Sequence, residues 1–209
     1  MLFKNGIPAK TPKLLKYFFR NRIWNYTKGK QQVFLTFDDG PTPGVTDWVL
    51  DVLNQYNAKA TFFCIGKNVQ AHKELYNRIL SEGHTLGNHT NNHLNGWKTK
   101  TTDYIKNVDK AAEEIDSNLF RPPYGKMGFK QAALLAKKGY KIIMWDVLAM
   151  DWDKNLTPDT CYQNVINNTE DGSIIVFHDS LKASKNLKAI LPEILKNLKL
   201  KGFSFETII

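Results

Sequence analysis

Residues 33–41 read VFLTFDDGP, a short apolar run that ends in two adjacent aspartates and a Gly-Pro pair. Neighbouring carboxylates raise each other's pKa and destabilise a site unless a cation or a basic group balances their charge. Residues 89–93, HTNNH, supply two imidazoles four positions apart. One carboxylate and two histidines are a ligand set typical of catalytic zinc-type sites, which keep a position open for water. Together the two stretches predict a buried strand that ends at a metal site.

The overall composition describes one ordinary globular domain. Its 209 residues are 42% hydrophobic and 23% charged, and the net charge is +9 at pH 7. This length supports a substantial core. A basic surface favours anionic partners, but the lysines are scattered rather than gathered in one arm, so no nucleic-acid partner is expected. Cys64 and Cys161 lack metal-type spacing and are interpreted as unpaired thiols.

The N-terminal region combines basic and aromatic residues without a long apolar stretch. No run approaches the roughly 18 residues of a membrane span, and the N-terminus has no secretory apolar segment. No transmembrane segment is therefore expected, and the cytoplasm is the default location. Residues 14–24, LLKYFFRNRIW, predict a helix packed across the bottom of the domain. A membrane or envelope surface is the alternative partner for this segment.

Short apolar runs alternate with longer amphipathic stretches along the chain. The predicted strands are residues 33–37, 60–65, 84–88, 118–121, 140–146, 173–178 and 203–207. The predicted helices are residues 45–56, 68–82, 101–116, 129–138, 158–169 and 186–200. This alternation is typical of parallel strands joined by crossover helices. It predicts an α/β fold, a distorted (β/α)7-type barrel, in which Gly83, Gly139 and Gly202 end helices.

Polar side chains follow the predicted strands at their carboxyl ends, the face where β/α barrels build their active sites. They are Asp38 and Asp39 after the first strand, His89 and His93 after the third, Arg121 after the fourth, Asp146 and Asp151 after the fifth, and His178 after the sixth. One of the two adjacent aspartates would bind the metal, and the other would take a proton from water.

Two further motifs suit hydrolytic chemistry. In residues 121–125, RPPYG, two prolines remove two N–H donors, so the next N–H belongs to Tyr124 and could face a developing oxyanion. Arg121 could pair with a carboxylate. His178 ends an apolar strand, where a nearby carboxylate would give it a pKa suited to proton donation near neutral pH. The candidates for that carboxylate are Asp146, Asp151 and Asp153.

These motifs, in this order, resemble those of the polysaccharide deacetylases of carbohydrate esterase family four, the NodB homology domain. The resemblance covers residues 32–207. The matching motifs are TFDDGP at 36–41, HTNNH at 89–93, RPPYG at 121–125, Asp151-Trp152, and IIVFH at 174–178. The resemblance implies a catalytic domain over residues 32–209 and an N-terminal segment, residues 1–31, that packs on it.

The resemblance implies a metal-dependent hydrolase that removes acetyl groups from N-acetylated amino-sugar polymers or oligomers of the peptidoglycan or chitin type. It implies one divalent metal ion held by Asp39, His89 and His93, with zinc the first expectation and cobalt, manganese or nickel as alternatives. The expected partner is therefore a carbohydrate, and a monomer is expected. Enzymes of this family usually act on wall or extracellular polymers, in contrast to the default location.

The resemblance also implies roles for the other motif residues. They are general base for Asp38, tuning of that base for Arg121, oxyanion stabilisation for the Tyr124 N–H, and proton donation to the departing amine for His178. Asp151 is expected to tune His178, and it is preferred to the other aspartates because Trp152 follows it. Substrate contacts are expected from Pro122, Pro123, Tyr124, Trp152 and Val176.

Other functions would fit part of the same pattern. An O-acetyl esterase acting on a xylan-type polysaccharide would use the same site, as would an amidohydrolase acting on a small non-carbohydrate amide. A carbohydrate-binding module on an inactive fold would need a broken ligand or base, and every expected position is filled. Trp97 and Trp152 are aromatic residues that could stack on sugars, which favours a carbohydrate.

Overall fold

A computed structural model describes residues 8–26 and 29–209 of the chain. Its strands are β1 (Gln32–Asp38), β2 (Ala60–Cys64), β3 (Thr85–Asn88), β4 (Leu119–Phe120), β5 (Lys141–Ile142), β6 (Val147–Leu148), β7 (Ile174–His178) and β8 (Ser204–Phe205). Its α-helices are α1 (Lys13–Phe18), α2 (Thr46–Gln55), α3 (Gly66–Ala71), α4 (Lys73–Ser81), α5 (Thr101–Ala112), α6 (Phe129–Lys137), α7 (Pro158–Ile166) and α8 (Ser184–Leu200). Short 3-10 helices cover Gly96–Lys98 and Pro123–Gly125.

The strands form one curled sheet in the order β5-β4-β3-β2-β1-β7-β6, and β8 pairs with β1. The strand pairs are parallel, so each connection between neighbours has to cross over the sheet. Helices make these crossovers and cover the outer face of the sheet. The predicted α/β fold of barrel type is confirmed, in the form of a curled half-barrel.

The half-barrel has a seam between β5 and β6, which follow each other in the chain but lie at opposite ends of the strand order. Part of the N-terminal segment lies in this seam. The Ile23 N–H donates to the Ile142 carbonyl at 2.9 Å, and the Met144 N–H donates to the Ile23 carbonyl at 2.7 Å. Further along, the Leu148 N–H donates to the Ala9 carbonyl at 2.8 Å. The segment thus contacts both edges of the open sheet.

The single strand predicted over residues 140–146 is wrong in its extent, because β5 ends at Ile142 and the chain then crosses the seam before β6 begins at Val147. The Met144 N–H still pairs with the N-terminal segment, whereas the Asp146 N–H already pairs with Ile174 of β7 at 2.9 Å. The chain therefore changes from one edge of the seam to the other between these two residues. The predicted N-terminal segment also includes residues 1–7 and 27–28, which lie outside the described ranges.

The helix predicted over residues 68–82 is divided into α3 and α4. His72 separates them with φ −135° and ψ 53°, outside the helical region, so the hydrogen-bonded spiral cannot continue through it. The other helices predicted from residue 45 onward are present with their ends shifted by a few residues. The helix predicted over residues 14–24 is wrong in its extent, because α1 ends at Phe18 and Ile23 pairs with the edge of the sheet. No helix in the described part of the chain is long and apolar enough to cross a membrane.

Alternation along β1 decides which side chains reach the concave side of the sheet, because successive strand residues point to opposite faces. Phe37 packs in the large apolar cluster beneath the helices, with its ring centroid 5.1 Å from that of Phe62 and 5.6 Å from that of Phe177. Asp38 points to the other side, where it contacts Arg121. One strand therefore both anchors the core and delivers a carboxylate to the interior of the half-barrel.

Candidate active site

The turn after β1 gives its two aspartates different partners. Asp38 ends the strand, whereas Asp39 has a left-handed backbone with φ +81°, a conformation that costs a non-glycine residue roughly 1–3 kcal/mol and is often kept at functional sites. Asp179 fixes the turn, because its Oδ1 accepts the Gly40 N–H at 3.0 Å. Only glycine fits there, since a Cβ on Gly40 would lie 2.0 Å from Asp179 Oδ2.

Asp39 meets two histidines from the loop after β3. Its Oδ1 lies 3.1 Å from His93 Nε2 and 3.7 Å from His89 Nε2. Burial acts to raise the pKa of Asp39, but the contact with His93 and the nearby charge of His178 outweigh it, and the pKa is lowered. Burial lowers the pKa of His89 to about 4. Asp39 is therefore a carboxylate and His89 a neutral imidazole, and metal ligands require these protonation states.

These three residues fit a divalent metal ion. One ligand atom from each of Asp39, His89 and His93 lies within 4.8 Å of the others. Asp39 Oδ1 is buried and accepts no hydrogen bond within the described residues. A cation would satisfy this oxygen, and a carboxylate with two imidazoles is a donor set that zinc and related ions accept.

The Nδ1 atoms of His89 and His93 each contact an oxygen of the protein. His89 Nδ1 lies 2.8 Å from the carbonyl oxygen of Arg121, which accepts its N–H. His93 Nδ1 lies 3.1 Å from the hydroxyl of Tyr124. Contacts of this kind fix which nitrogen carries the proton and leave Nε2 available as the ligand atom.

Asp38 is held by a fully buried arginine. Arg121 Nη1 donates to Asp38 Oδ1 and to Thr36 Oγ1, each at 2.7 Å. Its Nη2 donates to the Met144 carbonyl at 2.9 Å, and the guanidinium lies over the Phe63 ring, 4.1 Å from the centroid. Burial lowers the pKa of Arg121, and the charge of Asp38 opposes this shift. Because an arginine stays protonated even so, it balances the charge of Asp38 and fixes the orientation of its carboxylate.

His178 ends β7 and is oriented by one buried carboxylate. Its Nδ1 donates to Asp151 Oδ1 at 2.9 Å, and its backbone N–H donates to Asp151 Oδ2 at 2.8 Å. Burial acts to lower the pKa of His178, but Asp151 raises it to about 9. The ring is therefore an imidazolium at neutral pH and can give up a proton. Trp152 covers it, with ring centroids 4.6 Å apart.

The other two candidate carboxylates lie elsewhere. Asp146 accepts a hydrogen bond from Ser173 Oγ at 2.6 Å, and Asp153 accepts the Asn155 N–H at 2.9 Å. The expectation that Asp146 lies at the carboxyl end of a strand is wrong, because it comes directly before β6 and next to the start of β7. Asp151 comes after β6 and therefore reaches the opposite end of the sheet.

These groups open into one cavity of about 410 Å³. Its apolar wall is formed by Trp145, Leu148, Trp152 and Val176. Tyr124 lines the cavity with a left-handed backbone, φ +60°, and Pro122 lines it as well. Pro123 is buried in the 3-10 turn and does not line the cavity, so its expected contact with substrate is not supported.

Sequence reasoning missed several residues of this cavity. Trp145 and Leu148 were hidden because the predicted strand did not divide at the seam. Lys126 follows the RPPYG motif directly, and Lys182 follows His178 by four positions; their nearness to motifs was the available signal. Asp179 directly follows His178, and its role in fixing the turn after β1 was not predicted. Burial raises the pKa of Asp179 to about 7.

The curled α/β half-barrel brings a carboxylate and two histidines together beside an aspartate held by arginine and a histidine held by aspartate. This arrangement suits a hydrolase. The family model described as polysaccharide deacetylase matches residues 25–143. The chain belongs to the polysaccharide deacetylase family, and the resemblance drawn from the motifs is confirmed.

Several known proteins are similar in sequence to this chain over most of its length. A peptidoglycan-N-acetylglucosamine deacetylase of Bacillus cereus is 35% identical over 192 residues, which cover 88% of this chain and 90% of the relative. The peptidoglycan-N-acetylmuramic acid deacetylase PdaC of Bacillus subtilis is 32% identical over 182 residues, which cover 84% of this chain and 38% of the relative. The crystal structure of the Bc1960 peptidoglycan N-acetylglucosamine deacetylase has a TM-score of 0.87, 32% identity and 95% coverage of both chains.

Proposed function

We propose that this chain is a metal-dependent hydrolase that removes the acetyl group from N-acetyl amino sugars of a peptidoglycan-type polymer. The observation that carries the proposal is the buried Asp39 Oδ1, which has no hydrogen-bond donor within the described residues and faces two imidazole nitrogens. The relatives named as peptidoglycan deacetylases support this choice of polymer.

Asp39, His89 and His93 would hold the ion, with zinc the first choice. A bound divalent ion in such a site lowers the pKa of water and polarises a carbonyl oxygen. The chain's own contribution to binding is the orientation of both rings through their Nδ1 atoms, as Arg121 and Tyr124 provide. Contacts of this kind typically change metal affinity by about 10–100-fold.

The remaining residues divide the proton transfers of amide hydrolysis between them. As the oxygen of a water molecule bonds to the acetyl carbon, Asp38 takes the proton that this water gives up. The Tyr124 N–H donates to the oxygen that becomes negative. The carbon–nitrogen bond then breaks, and His178 gives its proton to the nitrogen. The products are a free amino sugar and acetic acid, which ionises to acetate. Asp38 then loses its proton to solvent and His178 takes one up, so both groups return to their starting states.

The apolar wall suits the acetyl methyl group. Trp152 and Val176 were expected there, and Trp145 and Leu148 extend the same surface. A methyl group gains roughly 0.8 kcal/mol when it leaves water for such a wall. The charged state of His178 favours an amide over an ester, because an amine leaves only after it has been protonated, whereas an alkoxide needs less help.

Acetate release from a panel of polymers tests the proposal. Peptidoglycan glycan strands, N-acetylglucosamine oligomers and acetylated xylan would each be offered to the protein, before and after exhaustive chelation and after zinc is added back. We expect release from the N-acetylated substrates, its loss on chelation and its return with zinc. Full activity after chelation would reject the metal, and release from xylan alone would favour the O-acetyl esterase.

A further inference from the structure

Two lysines line the cavity without a carboxylate of their own. Lys126 borders it from the segment after the RPPYG motif, and Lys182 borders it from the loop between β7 and α8. Within the described residues, neither ammonium group makes an ion pair. Asp38, the cavity carboxylate held by Arg121, is already balanced, and Asp39 faces the two histidines.

The position of Lys126 is fixed by its surroundings. Its carbonyl accepts the Gly96 N–H at 3.0 Å, and its own N–H donates to the Pro123 carbonyl at 3.1 Å. Its ammonium group lies 5.4 Å from the centroid of the Trp97 ring, a distance at which a cation is attracted to the ring face. The side chain is therefore held beside the mouth of the cavity.

Lys182 stands on a turn that is equally well defined. The next residue, Ala183, is fully buried, and its N–H donates to the Ser180 carbonyl at 3.1 Å. The Lys182 side chain is exposed while its backbone is anchored. Both lysines thus stand at defined positions beside the cavity.

We propose that Lys126 and Lys182 bind a carboxylate of the substrate, so that the cavity selects a carboxylate-bearing glycan over a neutral one. The proposal rests on the proposed function and names the charge class of its polymer. Two cations around a partly enclosed cavity attract anions and raise their local concentration. A carboxylate would accept charge-assisted hydrogen bonds from either ammonium group.

Peptidoglycan strands offer this carboxylate from two sources, whereas chitin-type oligomers offer none. One source is the stem peptide. The other is the lactyl group of the muramyl sugar, which becomes a free carboxylate when an amidase removes the peptide. The chemistry at the lysines is the same in both cases, so strands with and without stem peptides can distinguish the sources.

The selectivity ratio tests the proposal. We would measure kcat/KM for glycan strands with stem peptides, for amidase-treated strands and for neutral N-acetylglucosamine oligomers, using the wild type and a variant with Lys126→Gln and Lys182→Gln. The ratio of carboxylated to neutral substrate should fall roughly five- to tenfold in the double variant, the size expected for two solvent-accessible ion pairs. Loss of the ratio on intact strands only assigns the stem peptide, and loss on treated strands only assigns the lactyl group.

Lys188→Gln is the matched control, because Lys188 also lies over a tryptophan, 5.7 Å from the Trp48 ring, but outside the cavity. It should leave the ratio unchanged. Raised salt should reduce the wild-type ratio and affect the double variant less. Wild-type turnover with the same ratio in the double variant would overturn this proposal alone. No acetate release by the wild type from any of the three substrates would reject the proposed function, and this proposal with it.

Discussion

Asp146 and Asp151 lie five residues apart and are each 1% exposed, yet they act at opposite ends of the sheet. Asp146 comes directly before β6 and accepts hydrogen bonds from Lys10 at 2.7 Å and Ser173 at 2.6 Å. Asp151 comes after β6, and both of its oxygens accept hydrogen bonds from His178. A buried aspartate before β6 therefore contacts structural partners, whereas one after β6 contacts a side chain that lines the cavity.

The partners of the two aspartates also differ in kind. Asp146 is paired with lysines, Lys10 and Lys16, and these come from the N-terminal segment that lies in the seam. Asp151 is paired with a group that exchanges protons near the working pH. We therefore expect changes at Asp146 to affect the free energy of unfolding and changes at Asp151 to affect rate and pH dependence.

The largest effect is expected when the partner of Asp151 is removed. His178→Ala should lower kcat/KM on an N-acetylated glycan by about 10²–10⁴-fold, the usual contribution of a positioned acid. The loss should be much smaller on an aryl acetate, because a phenolate leaves without protonation. Steady-state kinetics on both substrates measure the difference.

Ser173→Ala is the control at the other end of the sheet, because Ser173 is a hydrogen-bond partner of Asp146. It should cost about 1 kcal/mol of stability and little rate. Equal losses of His178→Ala on both substrates would contradict proton donation and favour a purely structural histidine.

Asp146→Ala should lower the free energy of unfolding and leave the rate nearly unchanged, the opposite of His178→Ala. Removal of Asp146 leaves Lys16 without an acidic partner, whereas Lys10 keeps its ion pair with Glu170 at 2.9 Å. The side chains of Lys10 and Lys16 are 31% and 18% exposed, so water can partly solvate them. We expect a loss of about 2–3 kcal/mol in the free energy of unfolding, below the cost of breaking a fully buried pair. Denaturant titration measures this loss, and kcat of the folded protein should stay near that of the wild type. A large fall in kcat with intact stability would break the division between the two aspartates.

The contrast also shows what the sequence could predict. The strand before Asp38 was predictable because apolar residues and a Gly-Pro turn bound it locally. The roles expected for Asp146 and Asp151 depended on where a strand ends, and that end is set by the N-terminal segment. Ile23 pairs with residues near 143, far along the chain, and no local pattern encodes such a contact.

The two cavity lysines could not be predicted for a related reason. Lys126 and Lys182 follow different strands, β4 and β7, which are not neighbours in the sheet. Only the curl of the sheet brings them around one cavity. Motif residues were found because each has a distinct chemical type, whereas a lysine in a lysine-rich chain is informative only after its surroundings are known.

Asp151→Asn should produce an intermediate effect that appears in the pH profile. Proton donation requires protonated His178, so the rate falls as the pH rises through the pKa of His178, which Asp151 holds at about 9. Without the negative charge this pKa falls toward its ordinary value. We expect the alkaline limb of kcat to move to lower pH by about one to two units. Asp153→Asn is the matched control, and an unmoved limb in Asp151→Asn would show that another group sets it.

The smallest effect is expected at Tyr124, whose neutral hydroxyl orients the candidate metal ligand His93 much as the charged Asp151 orients His178. The Tyr124 hydroxyl lies 3.1 Å from His93 Nδ1, and Asp151 Oδ1 lies 2.9 Å from His178 Nδ1. Tyr124→Phe removes the hydroxyl but keeps the backbone N–H. Zinc affinity should fall about tenfold, the lower end for such supporting contacts, because the partner is uncharged.

Competition with a chromogenic chelator measures this affinity without any substrate, so the result does not depend on turnover. Tyr162→Phe, on α7, is the control for loss of a hydroxyl elsewhere. Unchanged zinc affinity in Tyr124→Phe would mean that the His93 ring is oriented by its strained backbone, φ +56°, and not by the hydroxyl. If Tyr124→Phe lowered zinc affinity as much as removal of a metal ligand does, the Tyr124 hydroxyl would be more important than expected. A neutral partner would then matter as much to its histidine as the charged Asp151 does to His178.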